Sequence, residues 1–175
     1  MLTVETDIKT VLTQALTVLK ERILVNMRTQ GAWASGRTGD RMTVEVDESG
    51  GRLVSRGTMP FSILETGRRK GKVPYNFEQT VLQWAHDKHI SIKPLPYKTA
   101  RAHKYTPQER GELTFANAVK WCMKNGSRNY PMGGTVLHRQ GGRDTIYSME
   151  IPKTIDEVKQ RLILHVINVA HIKTH

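Results

Sequence analysis

His86 and His89 stand one helical turn apart, close enough for two imidazoles to share a divalent ion. A zinc centre needs three or four ligands, and the only neighbour of suitable type, Asp87, sits beside Lys88 and reads as a solvated charge. His165, His171 and His175 fall on or beyond the final helical pattern and read as surface residues. Asp156 with Glu157-Val158-Lys159 has the residue types of a metal-dependent nuclease. Such a site needs carboxylates converging from separate elements, whereas these lie in the first turns of one amphipathic helix. Capping and compensation of the helix dipole account for them. Cys122, beside Trp121 on the apolar side of its helix, reads as a small hydrophobe with an unreactive thiol. Neither a Walker-type nor a dinucleotide-type glycine loop is present. These residues give no support to an enzyme, and they call for no metal or cofactor.

Charge is the stronger signal. The 175 residues carry 27 Lys and Arg against 16 Asp and Glu, a formal net charge of +11. Such an excess attracts polyanions, either nucleic acid or an acidic protein surface. Arg68, Arg69, Lys70 and Lys72 cluster within five positions around Gly67 and Gly71. Between Lys93 and Arg143 ten further Lys and Arg face only Glu109 and Glu112. Tyr97 and Tyr105 interleave with Lys98, Arg101 and Lys104, as a stacking strip on nucleic acid or as anchors on a neighbouring subunit. Base-reading motifs are missing, so contact with a phosphate backbone fits better than sequence recognition.

The elements that position these residues follow from periodicity. Ile8, Leu12, Ala15, Leu19 and Ile23 recur at helical spacing from about Thr6 to Gln30, where Gly31 supplies a stop. Met42, Val44 and Val46 alternate with polar residues, Ser49-Gly50-Gly51 makes a turn, and Leu53-Val54-Ser55 resumes an extended pattern, which predicts a hairpin. Phe61 to Glu65 is a short helix or a strand continuation, ended by Gly67. Asn76 and Gln79 open a second helix, anchored by Trp84 and running up to Ile90. Pro94 and Pro96 make 92–106 an extended basic arm. Thr106-Pro107-Gln108-Glu109 is a strong helix start, and Asn125-Gly126 ends that helix. Residues 127–143 read as a flexible loop and 145–149 as a strand. Thr154 and Glu157 form a capping box before a last helix with apolar face Ile155, Val158, Leu162, Val166, Val169 and Ile172.

Length predicts one domain, 1–175, with an arm or insertion. A lone cysteine fits a reducing compartment, no signal peptide is evident after Met1, and no run approaches the roughly 20 apolar residues of a membrane span. A soluble protein made inside a cell, without a membrane partner, is expected.

The order of these parts, with Thr38-Gly39-Asp40-Arg41 before the hairpin and Leu64-Glu65-Thr66-Gly67-Arg68-Arg69 after it, resembles the tail-completion or head-tail joining proteins of tailed bacteriophages. The likeness covers about Lys20 to Ile90 and, more loosely, the last helix. Thr66 stands where that family usually has an aromatic residue, and the insertion from about Ile92 to Tyr147 is long. The resemblance implies an α+β fold, a small mostly antiparallel sheet packed against long N- and C-terminal amphipathic helices, with the basic segment as an extended insertion. It also implies a structural virion protein of the neck or tail region, made in the host bacterial cytoplasm. Copies would form a ring of six-fold or twelve-fold symmetry between portal, neck and tail proteins and let DNA pass through. In such a ring Glu45, Asp47 and Glu48 of the hairpin are expected to meet a neighbour's basic loop, Arg68 to Lys72. Lys93, Lys98, Arg101 and Lys104 of the arm are expected to wrap a neighbour or to line the channel, with Tyr97 and Tyr105 as anchors. The alternative is a non-specific DNA-binding protein acting through the same basic loops.

Overall fold

A computed structural model describes residues 2–56, 62–98, 104–125, 135 and 140–172, with side chains from 8 to 167 within those ranges. The described residues form helices and one two-stranded antiparallel sheet, an α+β composition. The chain divides into two compact units, one built from residues 1–65 and 143–175, the other from 66–142.

The first unit is organised by α1 (Leu2–Thr29). Its buried residues, Ala15, Leu19, Ile23 and Met27, repeat at every fourth position, so one stripe faces the core. Each of the larger side chains gains about 1.5–3 kcal/mol on full burial. Gly31, at φ 67°, ends the helix as expected, and Ala32 and Trp33 both donate their backbone N–H to the Met27 carbonyl. A single turn, α2 (Arg37–Asp40), leads into β1 (Met42–Asp47) and β2 (Gly50–Ser55), paired from Met42 with Ser55 to Asp47 with Gly50. A lone hairpin is marginal in water, and this one is held by packing on α1. Gly51 brings the hairpin close to α1, where a Cβ would lie 2.7 Å from Leu16 Cδ1. Met42, Ile146 and the α1 stripe form the core.

The last helix, α6 (Glu150–Ile172), also packs on α1. It begins earlier than the Thr154 capping box predicts. Thr154 is buried inside the helix and donates its hydroxyl to the Glu150 carbonyl, while Glu157 pairs with Arg22 of α1 at 2.9 Å. A long-range partner has displaced the local cap. The expected apolar face is corrected as well. Val158 and Leu162 are half-buried with Glu157 and His165, whereas Ile155 and Val166 are exposed. Val169 and Ile172 lie beyond the described side chains.

In the second unit α4 (Phe77–Asp87) packs on α5 (Pro107–Asn125) through Phe77, Val81 and Ala116, flanked by Phe115, Val119 and Met123. Trp84, expected as the anchor, is exposed instead. Asn76 is the N-cap of α4 but makes no side-chain cap bond. That helix stops at Asp87, short of Ile90, through a left-handed His89 (φ 54°) and a bond from Ile90 N–H to the Ala85 carbonyl. The capping box of α5 is realised. Thr106 N–H donates to Glu109 Oε2 at 2.8 Å and Glu109 N–H returns to Thr106 Oγ1 at 3.2 Å.

Candidate functional site

The apolar segment before Gly67 resolves into one helical turn, α3 (Ile63–Thr66). It presents Glu65, whose side chain is only 3% exposed. Glu65 Oε1 accepts the backbone N–H groups of Ile146, Tyr147 and Ser148 at 2.9, 2.6 and 3.0 Å, and Oε2 accepts the Ser148 hydroxyl. Three successive N–H groups aimed at one oxygen make an anion-binding nest. A strand points successive N–H groups to opposite sides, so the strand expected at 145–149 is replaced by turns. Burial, the largest influence, raises the Glu65 carboxyl, but the bonds from Ser148, Tyr147 and Ile146 together outweigh it and hold the group below its ordinary range. Glu65 is thus an ionised structural clamp. Tyr147 is pushed up, first by burial and then by the Glu65 charge.

The motif before the hairpin is equally structural. A Cβ on Gly39 would come within 2.7 Å of Leu24 and 2.8 Å of Trp33, so only glycine lets α2 settle on the indole.

The hairpin acids are largely engaged within their own unit. Glu45 bridges Arg52 at 2.8 Å and Arg56 at 2.6 Å. Asp47 accepts from Ser49 N–H at 2.8 Å, from the Ser49 hydroxyl and from Gly50 N–H at 3.1 Å, and bonding from Ser49 lowers its carboxyl. Glu48 stands exposed at the tip beside Asp47, and both lie near Lys9.

The basic loop divides by role. Arg68 is half-buried. Its guanidinium donates to the Lys72 carbonyl at 2.6 Å and lies over the Phe77 ring, while its backbone exchanges bonds with Thr135. Gly71 N–H donates to the Met123 carbonyl at 3.3 Å. The loop is therefore tied to the end of α5 by its own chain, and Arg69, Lys70 and Lys72 are left on the surface.

The extended arm is also held internally. Leu95 N–H donates to the Pro107 carbonyl at 2.9 Å, and Arg110 donates to the Pro96 carbonyl at 2.9 Å. The same guanidinium stacks over Tyr97 at 4.5 Å. Gly111 lets α5 approach so closely that a Cβ would lie 2.4 Å from the Lys93 carbonyl oxygen. Residues 91–97 therefore belong to the second unit's own packing, and Tyr97 serves Arg110 rather than standing free for a neighbour. Lys93, Lys98 and Lys104 are exposed, with Lys104 over Tyr105 at 5.1 Å. Arg101 lies outside the described residues, as does most of 127–143.

One cleft brings Lys72 of the expected basic loop together with residues that sequence reasoning missed. A cavity of about 660 Å³ in the second unit is lined by Lys72, Tyr75, Glu78, Lys120 and Lys124 among others. Lys120 pairs with Glu78 at 2.7 Å, and Tyr75 is fully exposed. The available signals were the four-residue spacing of Lys120 and Lys124 on one helix face and Tyr75 directly after Pro74.

Among the described residues no group of three His, Cys, Asp or Glu side chains is placed to hold a metal, and no helix is long and apolar enough to cross a membrane. Asp87 accepts from Gln83 at 2.8 Å, and Asp156 lies 3.8 Å from Lys159. The chain matches no family model, no curated protein and no solved structure significantly.

Proposed function

We propose that this chain is a structural assembly protein of a tailed phage, a ring-forming component of the neck or tail-completion region that joins head to tail and lets DNA pass. The observation that carries the assembly reading is α6. After Arg161 its sequence is Leu-Ile-Leu-His-Val-Ile, apolar on nearly every side, and Ile163, Leu164 and Val166 are 59%, 61% and 64% exposed. A helix that is apolar all round is stable when it is covered all round, and α1 covers one side. Exposed Trp84 and Trp121 add uncovered area in the second unit.

The phage assignment rests on the likeness of the motif order. Gly39 and Glu65, within the two motifs, serve packing rather than chemistry, which suits a shared architecture. Mass photometry of the full chain, alone and with neighbouring neck proteins, tests the reading: closed oligomers are expected, and a monomer under every condition overturns it.

A second reading is non-specific DNA binding. The exposed Arg69, Lys70, Lys72, Lys93, Lys98 and Lys104 favour it. Affinity should then fall steeply with salt, and absence of binding at low ionic strength excludes it.

A further inference from the structure

The cleft in the second unit combines features that a merely solvated lysine surface lacks. Among the described residues, Lys72, Lys120 and Lys124 line it with a single carboxylate, Glu78, which is already matched by Lys120. Lys72 and Lys124 therefore leave an excess of positive charge on a concave wall. That wall is pre-formed: Gly71 is bonded to Met123, one residue before Lys124, and Arg68 holds the Lys72 carbonyl at 2.6 Å. At the rim Tyr75 offers its ring fully to solvent, directly before the N-cap of α4.

A fixed cationic groove beside an uncovered aromatic face is the arrangement that takes a single nucleic-acid strand, with phosphates on the ammonium groups and a base on the ring. A duplex keeps its bases stacked inside and gives Tyr75 nothing to hold. An acidic peptide would satisfy the lysines and likewise leave the ring idle. We infer that the cleft of Lys72, Tyr75, Lys120 and Lys124 binds single-stranded nucleic acid by backbone neutralisation and base stacking. This rests on the second reading above, contact with nucleic acid, and says where and in which form it occurs.

The test is fluorescence anisotropy with the full chain, a labelled short oligothymidine and a duplex of equal length, across a salt series. The variants are Tyr75→Ala, Tyr75→Phe and Lys72→Gln/Lys124→Gln, all at exposed positions, with thermal melting to confirm the fold. Tyr75→Ala should weaken oligothymidine binding about tenfold or more, and Tyr75→Phe should retain it. The double lysine variant should reduce the salt slope by about 1.4. Duplex affinity should be insensitive to Tyr75. If all variants bind both probes like the parent chain, the cleft assignment falls while non-specific binding stands. Equal loss of duplex and single strand in Tyr75→Ala, or equal displacement of the strand by oligoglutamate, overturns the single-strand assignment. No binding of either probe at low salt removes both readings.

Discussion

Oε1 of Glu65 accepts the backbone N–H of Tyr147 at 2.6 Å, joining α3 to the turn that opens α6 across 82 positions of sequence. The same oxygen serves Ile146 and Ser148, so one carboxylate satisfies three consecutive amides in a buried setting. Glu65→Ala leaves those amides without a partner and should cost on the order of 3 kcal/mol in urea unfolding. The pH dependence has a definite sign. Because the folded-state carboxyl is held below its unfolded value, its contribution is present above the ordinary glutamate range and is lost as pH falls through the folded value. The stability gap between the parent chain and Glu65→Gln should therefore narrow from neutral to acid pH. A gap independent of pH counts against an ionised clamp.

Gly111→Ala sets two effects against each other. Alanine in a helix interior gains about 1 kcal/mol over glycine. Here its Cβ would stand 2.4 Å from the Lys93 carbonyl oxygen, and moving backbone to relieve such overpacking costs about 1–3 kcal/mol. Packing wins, so the variant should melt lower. A higher melting temperature would mean that residues 91–97 are not seated on α5.

His89→Gly should act in the opposite direction. His89 ends α4 at φ 54°, a region that is costly for residues with a Cβ. Glycine relieves that strain and loses some ground through greater unfolded-state freedom, leaving a gain of about 0.5–1 kcal/mol. Thermal unfolding of the single variant decides it, and destabilisation would show that the imidazole contributes more than its backbone costs.

Arg110 holds the arm by bonding to Pro96 and stacking on Tyr97. Arg110→Ala should free that segment at a global cost of about 1 kcal/mol while sharply increasing tryptic cleavage after Lys98, the Lys93-Pro94 bond being resistant to trypsin. Unchanged cleavage would mean that the Leu95 bond and Gly111 contact hold the arm by themselves.

Local elements of the molecule are legible in the sequence, and elements set by distant partners are not. The α1 stripe, the Gly31 stop, the hairpin and the Thr106-Glu109 box depend on neighbours a few positions away, and local pattern reveals such elements. Thr154 and Glu157 have the same local pattern as a true box, yet Arg22, 135 positions distant, takes the glutamate. The β-branched and aromatic run at 145–149 reads as a strand until Glu65 gathers its amides. The cleft was hidden for a related reason: Lys72 and Lys124 lie far apart in sequence and meet because Gly71 docks on Met123. Periodicity identified the apolar positions of α6 but not which of them the chain covers itself.

That last distinction gives the sharpest test of assembly. Ile163 and Val166 project from α6 on a side that α1 leaves open, whereas Leu162 is half-buried. Exposed apolar side chains add little to the stability of an isolated chain, since burial is what yields about 25 cal/mol per Å². Ile163→Asp/Val166→Asp should therefore leave the unfolding free energy of the monomer within about 0.5 kcal/mol of the parent while abolishing the oligomers detected by mass photometry. Leu162→Asp should instead destabilise the monomer, because it places a charge against α1. If the double variant unfolds the monomer while Leu162→Asp leaves it intact, α6 turns its other side toward its own chain, and the uncovered face that supports the ring is not there.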